Sequence, residues 1–181
     1  MNSLKTVPNY LTLIRFLLVA PICYAIIQQT WLLASIIFIV AIISDLLDGY
    51  AARTLDQKSA LGGLFDHATD AIFVCAGLAC IAMDGSVTQW LPPLVILSFI
   101  QYALDSKALS GQKLVSSVIG RSNGIAYFVL LGCAVGSKTL GFDSNVFSLI
   151  ILIASWILCL STIISMFDRA IALWRSSRNA T

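Results

Sequence analysis

Residues 31–49 have the sequence WLLASIIFIVAIISDLLDG. No charged residue precedes Asp45 in this stretch, and a second carboxylate, Asp48, comes directly before Gly49. An apolar run of about 20 residues is long enough to cross the hydrocarbon core of a bilayer as a helix. The stretch therefore predicts a membrane-spanning α-helix that carries two carboxylates near one end.

The whole chain has the composition of an integral membrane protein. Of its 181 residues, 59% are hydrophobic and 11% are charged, and the mean hydropathy is +0.91. Soluble domains average about 45–50% apolar and about 25% charged residues, so a soluble or disordered chain is excluded. The net charge of +2 argues against a nucleic-acid partner. The cysteines are scattered in apolar runs without CxxC spacing, which favours buried thiols over disulfides or a metal site: Cys23, Cys75, Cys80, Cys133 and Cys159.

We expect one all-α membrane domain over residues 1–181, with six transmembrane helices. The apolar stretches lie, in round limits, at 10–28, 31–49, 64–83, 90–106, 123–137 and 146–167. The fifth is short for a span unless it begins near Val118. The polar segment 1–10 contains Pro8, which we expect to break the chain, so that this segment lies along the membrane surface before the first span.

The basic residues predict the orientation. If connections alternate between the two sides, one side holds all but one of the Lys and Arg residues, namely Lys5, Arg15, Arg53, Lys58, Lys107, Lys113, Arg121, Arg169, Arg175 and Arg178. The exception is Lys138. Because basic residues concentrate in cytoplasmic connections, we expect both termini in the cytoplasm. The connections 28–31, 84–89 and 138–145 are then external.

Two pairs of carboxylates are unusual for a bundle of apolar helices. Asp45 and Asp48 are three residues apart and Asp66 and Asp70 are four apart, so each pair lies on one face of its helix. The short connection 50–63 is expected to make the two helices antiparallel neighbours and to bring the pairs together. The alternative is that the four side chains simply lie in the headgroup region, since a charge in the hydrocarbon costs about 2.5–3.5 kcal/mol.

Four carboxylates that face one another repel unless cations hold them. Carboxylate oxygens favour Mg²⁺ or Mn²⁺ over zinc, and four are enough to bridge two ions about 3.5–4 Å apart. In the connection, Gly49 and Gly62 allow a ligand close to the backbone, and Arg53 adds a cation one turn past Asp48. The pattern predicts a metal-assisted phosphate site.

The segment from Asp45 to Asp70 has the pattern D-x2-D-G-x2-A-R-x8-G-x3-D-x3-D, filled by Asp45, Asp48, Gly49, Ala52, Arg53, Gly62, Asp66 and Asp70. This pattern resembles the signature of the CDP-alcohol phosphotransferase family at every position. The opening Asn9-x-x-Thr12-x-x-Arg15 is similar to the start of bacterial phosphatidylglycerophosphate synthases. That group usually has Pro after the third Asp and Lys after the fourth, where this chain has His67 and Ala71.

The resemblance implies an enzyme that cleaves a CDP-linked donor, releases CMP, and passes the other phosphoryl group with its alcohol to an acceptor hydroxyl. It implies that Asp45, Asp48 and Asp66 ligate two ions, Mg²⁺ or Mn²⁺, with Asp70 beside them as the general base. The donor site would be lined by Gly49, Ala52, Arg53 and Gly62. It further implies a homodimer in a bacterial inner membrane, with the active site facing the cytoplasm.

The acceptor is the open question. Lys107, Lys113 and Arg121 lie in the connection 102–124, where Lys107 and Arg121 are the leading candidates to hold an acceptor phosphate. They could instead serve only orientation and contact lipid headgroups. We expect CDP-diacylglycerol as donor and a small polar alcohol as acceptor, with glycerol 3-phosphate favoured.

Two alternatives are a CDP-amino-alcohol donor with diacylglycerol as acceptor, which His67 alone supports, and a divalent-cation carrier. Asp-His followed two residues later by Asp is more like the eukaryotic choline and ethanolamine phosphotransferases, although those enzymes are much longer. His67 itself is expected to be a hydrogen-bond partner of a metal ligand, a proton acceptor, or only a polar residue at the water interface.

Overall fold

The computed structural model describes residues 7–54, 60–105, 118–142 and 144–178, apart from the side chains of 7–9, 52, 53, 60, 61, 118 and 173–178. These ranges contain helices and no strand, which confirms the all-α prediction for the part described. The helices are α1 (Val7–Leu17), α2 (Val19–Ile27), α3 (Trp31–Thr54), α4 (Ala60–Ala82), α5 (Leu91–Asp105), α6 (Val118–Thr139) and α7 (Asn145–Arg178).

The first predicted span comprises two consecutive helices, α1 and α2, which meet at Leu18. Pro21 has no N–H to donate, and its ring clashes with the carbonyl four residues earlier, at Leu17. The ladder otherwise continues, since the Leu18 N–H donates to the Ile14 carbonyl at 3.1 Å and the Ile22 N–H donates to the Leu18 carbonyl at 3.0 Å. Pro8 lies inside the first turn of α1, where a helix needs no N–H donor. The prediction that Pro8 breaks the chain is therefore wrong.

Five segments are long and apolar enough to cross a membrane: Tyr10–Ile27, Trp31–Ala51, Gly62–Ala82, Ile119–Thr139 and Asn145–Ala172. They match five of the six predicted spans, and α6 does begin at Val118. Helix α5 has 15 residues, about 22 Å at 1.5 Å per residue, which is shorter than a hydrocarbon core of about 30 Å. By length, the described residues support five spans.

Helices α3 and α4 extend beyond the predicted membrane limits. Helix α3 continues through Gly49 to Thr54, and α4 already begins at Ala60. The expectation of a connection over 50–63 is therefore wrong at both ends, because Gly49, Ala52, Arg53 and Gly62 all belong to helices. Alanine and arginine are strong helix formers, so α3 does not stop where its apolar run ends.

Helices α1 and α2 separate α3 from α4. Helices α1 and α2 each pack against both α3 and α4, and α6 packs against both from another side. Helix α5 packs on α4 and α7, and α7 packs on α6. Across the described residues, α3 and α4 have no comparable contact with each other, so the prediction that they are direct neighbours is wrong.

Small residues let α6 approach its neighbours closely. A Cβ on Gly132 would lie 2.8 Å from Cε1 of Phe38 on α3, and one on Gly77 of α4 would lie 2.8 Å from Cδ2 of Leu131. Such close approach is typical of helix contacts within membranes. One turn before Gly132 on α6, the ring centre of Phe128 lies 6.5 Å from that of Phe38 and 6.3 Å from that of Phe73. Aromatic rings thus connect α3, α6 and α4.

A polar cluster joins α3, α6 and the turn after α4 at the end of the bundle away from the carboxylates. The Lys138 ammonium lies 2.9 Å from Oδ2 of Asp84 and 5.2 Å from the ring centre of Trp31. Partial burial works to raise the pKa of Asp84, but hydrogen bonds with Ser86 and Lys138 hold that pKa below its usual value. The connections predicted to share one side of the membrane therefore do lie at one end of the bundle.

Candidate active site

The four carboxylates of the sequence pattern meet around one buried cation. The side chain of Arg15 has no exposed surface. Its Nη2 lies 2.9 Å from Oδ1 of Asp45 and 2.7 Å from Oδ2 of Asp48. Its Nη1 lies 2.9 Å from Oδ1 of Asp66 and also donates to Oδ1 of Asp70. One arm of the guanidinium therefore faces the pair on α3, and the other faces the pair on α4.

The spacing on each helix explains this convergence. Arg15 lies one turn after Thr12 on α1, and the Thr12 hydroxyl donates to Oδ2 of Asp48 at 3.3 Å. Asp48 is buried, whereas the side chain of Asp45 is 43% exposed. The i,i+3 and i,i+4 spacings do place each pair on one face, as predicted. The two faces are held together through α1, which lies between them.

Sequence reasoning counted Arg15 as an orientation charge and as part of the opening Asn9-x-x-Thr12-x-x-Arg15 pattern, but missed its contact with the carboxylates. The available signal was that Arg15 is the one charged residue of the first apolar stretch. An arginine in a span is costly and marks a functional site by default. It also keeps its charge at any physiological pH. The positive charge required by the carboxylates comes in part from the chain itself.

The donor set fits divalent cations. Possible ligand atoms of Asp45, Asp48 and Asp66 lie within 4.8 Å of one another, and so do those of Asp66, His67 and Asp70. Asp66 belongs to both groups. Four carboxylates against one guanidinium leave an excess of negative charge, and carboxylate oxygens are ligands that Mg²⁺ and Mn²⁺ prefer. The four Asp residues are placed as the prediction requires, and their role as ligands stays a prediction.

A cavity of about 550 Å³ opens beside the carboxylates. The polar residues in its wall include Asp45, His67, Asp70, Tyr102, Arg121 and Arg169. The guanidinium carbon of Arg169 lies 5.7 Å from the ring centre of Tyr102, and its Nη1 donates to the Ser98 carbonyl at 3.3 Å. Two arginines thus share one cavity with the carboxylates, which is an arrangement suited to an anionic ligand.

The other predicted site residues have different outcomes. Arg121 lies in the cavity wall as expected, together with His67. Gly49 and Gly62 lie within α3 and α4, on the helices that carry the carboxylates. Lys107 and the side chains of Ala52 and Arg53 lie outside the described residues. Arg169 was missed as a site residue because, at the end of the last apolar run, it was counted only for orientation.

Comparison with known proteins identifies the family. The model of the family described as CDP-alcohol phosphatidyltransferase matches residues 5–168, nearly the whole chain. The chain belongs to this family. The resemblance inferred from the Asp45–Asp70 pattern is thereby confirmed. The four carboxylates and every residue of the cavity wall except Arg169 lie within the matched region.

The curated relatives of the chain carry several activities in their names. It is 35% identical over 97 residues to the CDP-diacylglycerol–glycerol-3-phosphate 3-phosphatidyltransferase of Blochmanniella floridana, covering 52% of this chain and 50% of the relative. It is 38% identical over 88 residues to the archaetidylinositol phosphate synthase of Pyrococcus horikoshii, covering 49% and 46%. It is 27% identical over 163 residues to a Schizosaccharomyces pombe cardiolipin synthase (CMP-forming) / mitochondrial hydrolase fusion protein, covering 80% and 27%.

The matches leave the acceptor open. The chain spans about half the length, or less, of these curated relatives. No solved structure matches the chain. The relatives share a family and differ in the products that their names state, so the acceptor of this chain has to be argued from its own cavity.

Proposed function

We propose that this chain transfers the phosphatidyl group of CDP-diacylglycerol to a small polar alcohol, with glycerol 3-phosphate favoured, and releases CMP. One observation carries the proposal: two of the motif carboxylates, Asp45 and Asp70, line a cavity whose wall also contains Arg121 and Arg169. Family membership supports the reaction type. A relative named for transfer to glycerol 3-phosphate supports the acceptor.

We assign the donor end of the site to α3 and α4. Asp45, Asp48 and Asp66 are the ligands of one divalent ion, and Asp66 and Asp70 contribute to a second. Bound Mg²⁺ or Mn²⁺ would neutralise negative charge on the phosphate oxygens during transfer. Gly49, Ala52, Arg53 and Gly62 line the CDP site in this proposal, because they belong to the same two helices within two turns of a carboxylate.

Asp70 is the general base in this proposal. It lies in the cavity wall, where an acceptor hydroxyl can reach it, and its Oδ1 accepts from Arg15. Asp70 takes the proton as the acceptor oxygen forms its bond to the phosphatidyl phosphorus. The bond from that phosphorus to the CMP oxygen breaks, and the electron pair leaves with CMP. A positioned base of this kind contributes about 10²–10⁴-fold in rate.

The acceptor phosphate is held by arginines. Arg121 and Arg169 are in the wall of the same cavity as Asp70, and Arg169 is oriented by the Ser98 carbonyl and the Tyr102 ring. Guanidinium groups bind phosphate through paired charge-assisted hydrogen bonds. Lys107 is retained as a third contributor on sequence grounds.

The setting of the enzyme follows from the charge distribution. We place it in a bacterial inner membrane as a single domain and a homodimer, with α5 as the sixth span. Both termini and the carboxylate end of the bundle face the cytoplasm. The support is the concentration of Lys and Arg residues on that side of the predicted topology, and the position of the Lys138 cluster at the other end of the bundle.

A CMP-release assay tests the proposal. The full chain in detergent receives CDP-diacylglycerol with glycerol 3-phosphate, inositol phosphate, serine or phosphatidylglycerol, and a second arm receives CDP-ethanolamine with diacylglycerol. We expect release with CDP-diacylglycerol, fastest with glycerol 3-phosphate, and loss of release in chelator or in Asp66→Asn. Asp84→Asn, which changes a carboxylate at the other end of the bundle, is the control and keeps activity. Release only in the second arm, or full activity in chelator, contradicts the proposal.

A further inference from the structure

His67 occupies a position that the carboxylate pattern of the family does not explain. It directly follows Asp66 on α4 and lies in the wall of the cavity beside Asp45 and Asp70. Its ring centre is 5.8 Å from that of Tyr102, at an angle of 56°. His67 therefore packs beside Tyr102 at the edge of the carboxylate cluster, with a half-exposed side chain.

Helix geometry brings three ligand types to one point. Residues at i, i+1 and i+4 of a helix form a triangle on its surface, with the third residue one turn above the first. Asp66, His67 and Asp70 have this spacing, and each offers a possible ligand atom within 4.8 Å of the others. This second group of possible metal ligands therefore contains an imidazole nitrogen, from His67, besides the carboxylate oxygens of Asp66 and Asp70.

The two oxygens of Asp66 face different partners. Oδ1 lies 2.9 Å from Arg15, whereas Oδ2 lies 3.7 Å from Nδ1 of His67. A separation of 3.7 Å is too long for a hydrogen bond. It suits two ligands of one ion, because ligands about 2.1 Å from a metal are about 3.0 Å apart at a right angle and about 4.2 Å apart when opposite. The His67 side of Asp66 is the side turned away from the arginine contact.

We propose that His67 is a ligand of one of the two metal positions, together with Asp66 and Asp70, and that this position favours a transition ion such as Mn²⁺ over Mg²⁺. The other position, formed by Asp45, Asp48 and Asp66, has oxygen ligands and accepts either ion. Imidazole is a ligand for transition metals, whereas Mg²⁺ demands hard oxygen ligands. This inference rests on the metal site of the proposed function and adds a nitrogen ligand and a metal preference to it.

The composition of the chain makes a spectroscopic test direct. His67 is the single histidine in 181 residues, so imidazole nitrogen detected next to a bound ion comes from this side chain. The test uses the full chain in detergent, purified without a histidine tag, stripped of metal and loaded with Mn²⁺. Pulsed electron paramagnetic resonance then measures nitrogen coupling to Mn²⁺. A second sample contains ¹⁵N-labelled histidine, which changes the coupling without any substitution.

We expect ¹⁴N modulation from one of two bound Mn²⁺ ions, replaced by ¹⁵N coupling in the labelled sample and absent in His67→Gln. His67→Gln should also lose at least about tenfold in Mn²⁺ affinity at one position, since loss of even an outer partner of a ligand costs about 10–100-fold. Its Mg²⁺ affinity should fall less. The control Asp84→Asn keeps both affinities.

The outcomes separate this inference from the function on which it rests. Two bound Mn²⁺ ions without imidazole coupling in the wild-type chain refute the role of His67 and leave the carboxylate site standing. Failure to bind Mn²⁺ refutes the role of His67, and failure to bind either Mn²⁺ or Mg²⁺ refutes the carboxylate metal site as well. Equal losses of Mn²⁺ and Mg²⁺ affinity in His67→Gln refute the metal preference. The labelled wild-type sample decides the ligand question even if His67→Gln does not fold.

Discussion

Arg15 should hold the bundle together when no metal ion is bound. Arg15→Met keeps an unbranched side chain and removes the only cation within reach of all four carboxylates in the described structure. In chelator, the four carboxylates of the variant repel one another, because no positive charge on α1 offsets them. We therefore expect Arg15→Met to be strongly destabilised in chelator and to regain stability when Mg²⁺ or Mn²⁺ is added.

The magnitude follows from the burial of the guanidinium. Removing one partner of a buried ion pair costs about 3–5 kcal/mol, and Arg15 is fully buried with two contacts on each side. For a domain of this size, 1 kcal/mol shifts Tm by about 2–4 °C. The expected loss in chelator is then about 6–20 °C. A divalent ion at about 100 times its Kd returns about 2.7 kcal/mol.

The assay is thermal unfolding of the full chain in detergent, with chelator or with saturating Mg²⁺. Arg15→Lys keeps a charge without the fork and should lose less than Arg15→Met. Lys138→Met removes a cation from the other end of the bundle, where its loss should cost about 1 kcal/mol or less and show no dependence on Mg²⁺. Asp48→Asn provides a coupling test: it should stabilise the Arg15→Met background in chelator and destabilise the wild type.

Two results would refute the reasoning. One is a Tm for Arg15→Met within about 2 °C of the wild type in chelator, because the loss of a buried network that stabilises the fold by about 3–5 kcal/mol should lower the Tm by more than that. The other is an equal response to Mg²⁺ in both proteins, which would mean that the ion and the guanidinium do not share the carboxylates.

Four further predictions follow from the site and the topology. Asp70→Asn should keep donor binding and the metal position of Asp45, Asp48 and Asp66, measured by calorimetry, and lose about 10²–10⁴-fold in turnover. A variant within about threefold of wild type reassigns the base. Arg121→Ala and Arg169→Ala should each lower kcat/KM for glycerol 3-phosphate by about 10- to 150-fold, because each removes a charge-assisted contact of about 1.5–3 kcal/mol. The KM for the donor should not change. A larger effect on the donor places both arginines at the nucleotide. The topology is tested in a background without native cysteines, with a maleimide that does not cross the membrane. Lys58→Cys should react only from the cytoplasmic side and Lys138→Cys only from outside. Labelling of both from one side overturns the six-span topology. The pKa of Asp84 is held below its usual value, so its charge stabilises the fold at neutral pH. Asp84→Asn should therefore lower the free energy of unfolding by about 1 kcal/mol or less at pH 7, and this difference from the wild type should vanish as the pH falls below about 4. A difference that grows in acid contradicts the pairing with Lys138.

Local pattern was enough to predict the helices and the carboxylate faces. The apolar run 31–49 predicted α3 because length and hydropathy are properties of the run itself. The spacing of Asp66 and Asp70 predicted a shared face for the same reason. Helix ends were less predictable. Helix α3 continues past Gly49 to Thr54, and in these residues helix propensity rather than hydropathy determines where the helix ends.

The arrangement of the helices could not be predicted from the same signals. A short connection favours packing of α3 on α4, but each helix packs instead on α1, whose Arg15 contacts both carboxylate pairs. Nothing within the α3 and α4 sequences records that third helix. The break between α1 and α2 at Leu18 likewise lies inside a stretch predicted as one span, where hydropathy gives no sign of it.

The absence of a side chain at Gly132 lets the Phe38 ring of α3 lie close to α6, beside a residue of the cavity wall. Phe128 lies one turn before Gly132 on α6 and lines the cavity, and its ring neighbours that of Phe38. A methyl group at position 132 would meet the Phe38 ring at 2.8 Å, and the ring could yield only by shifting against Phe128 or by moving α6. Gly132 thus allows Phe38 to pack beside Phe128, so the position of one residue of the cavity wall depends on a residue outside that wall.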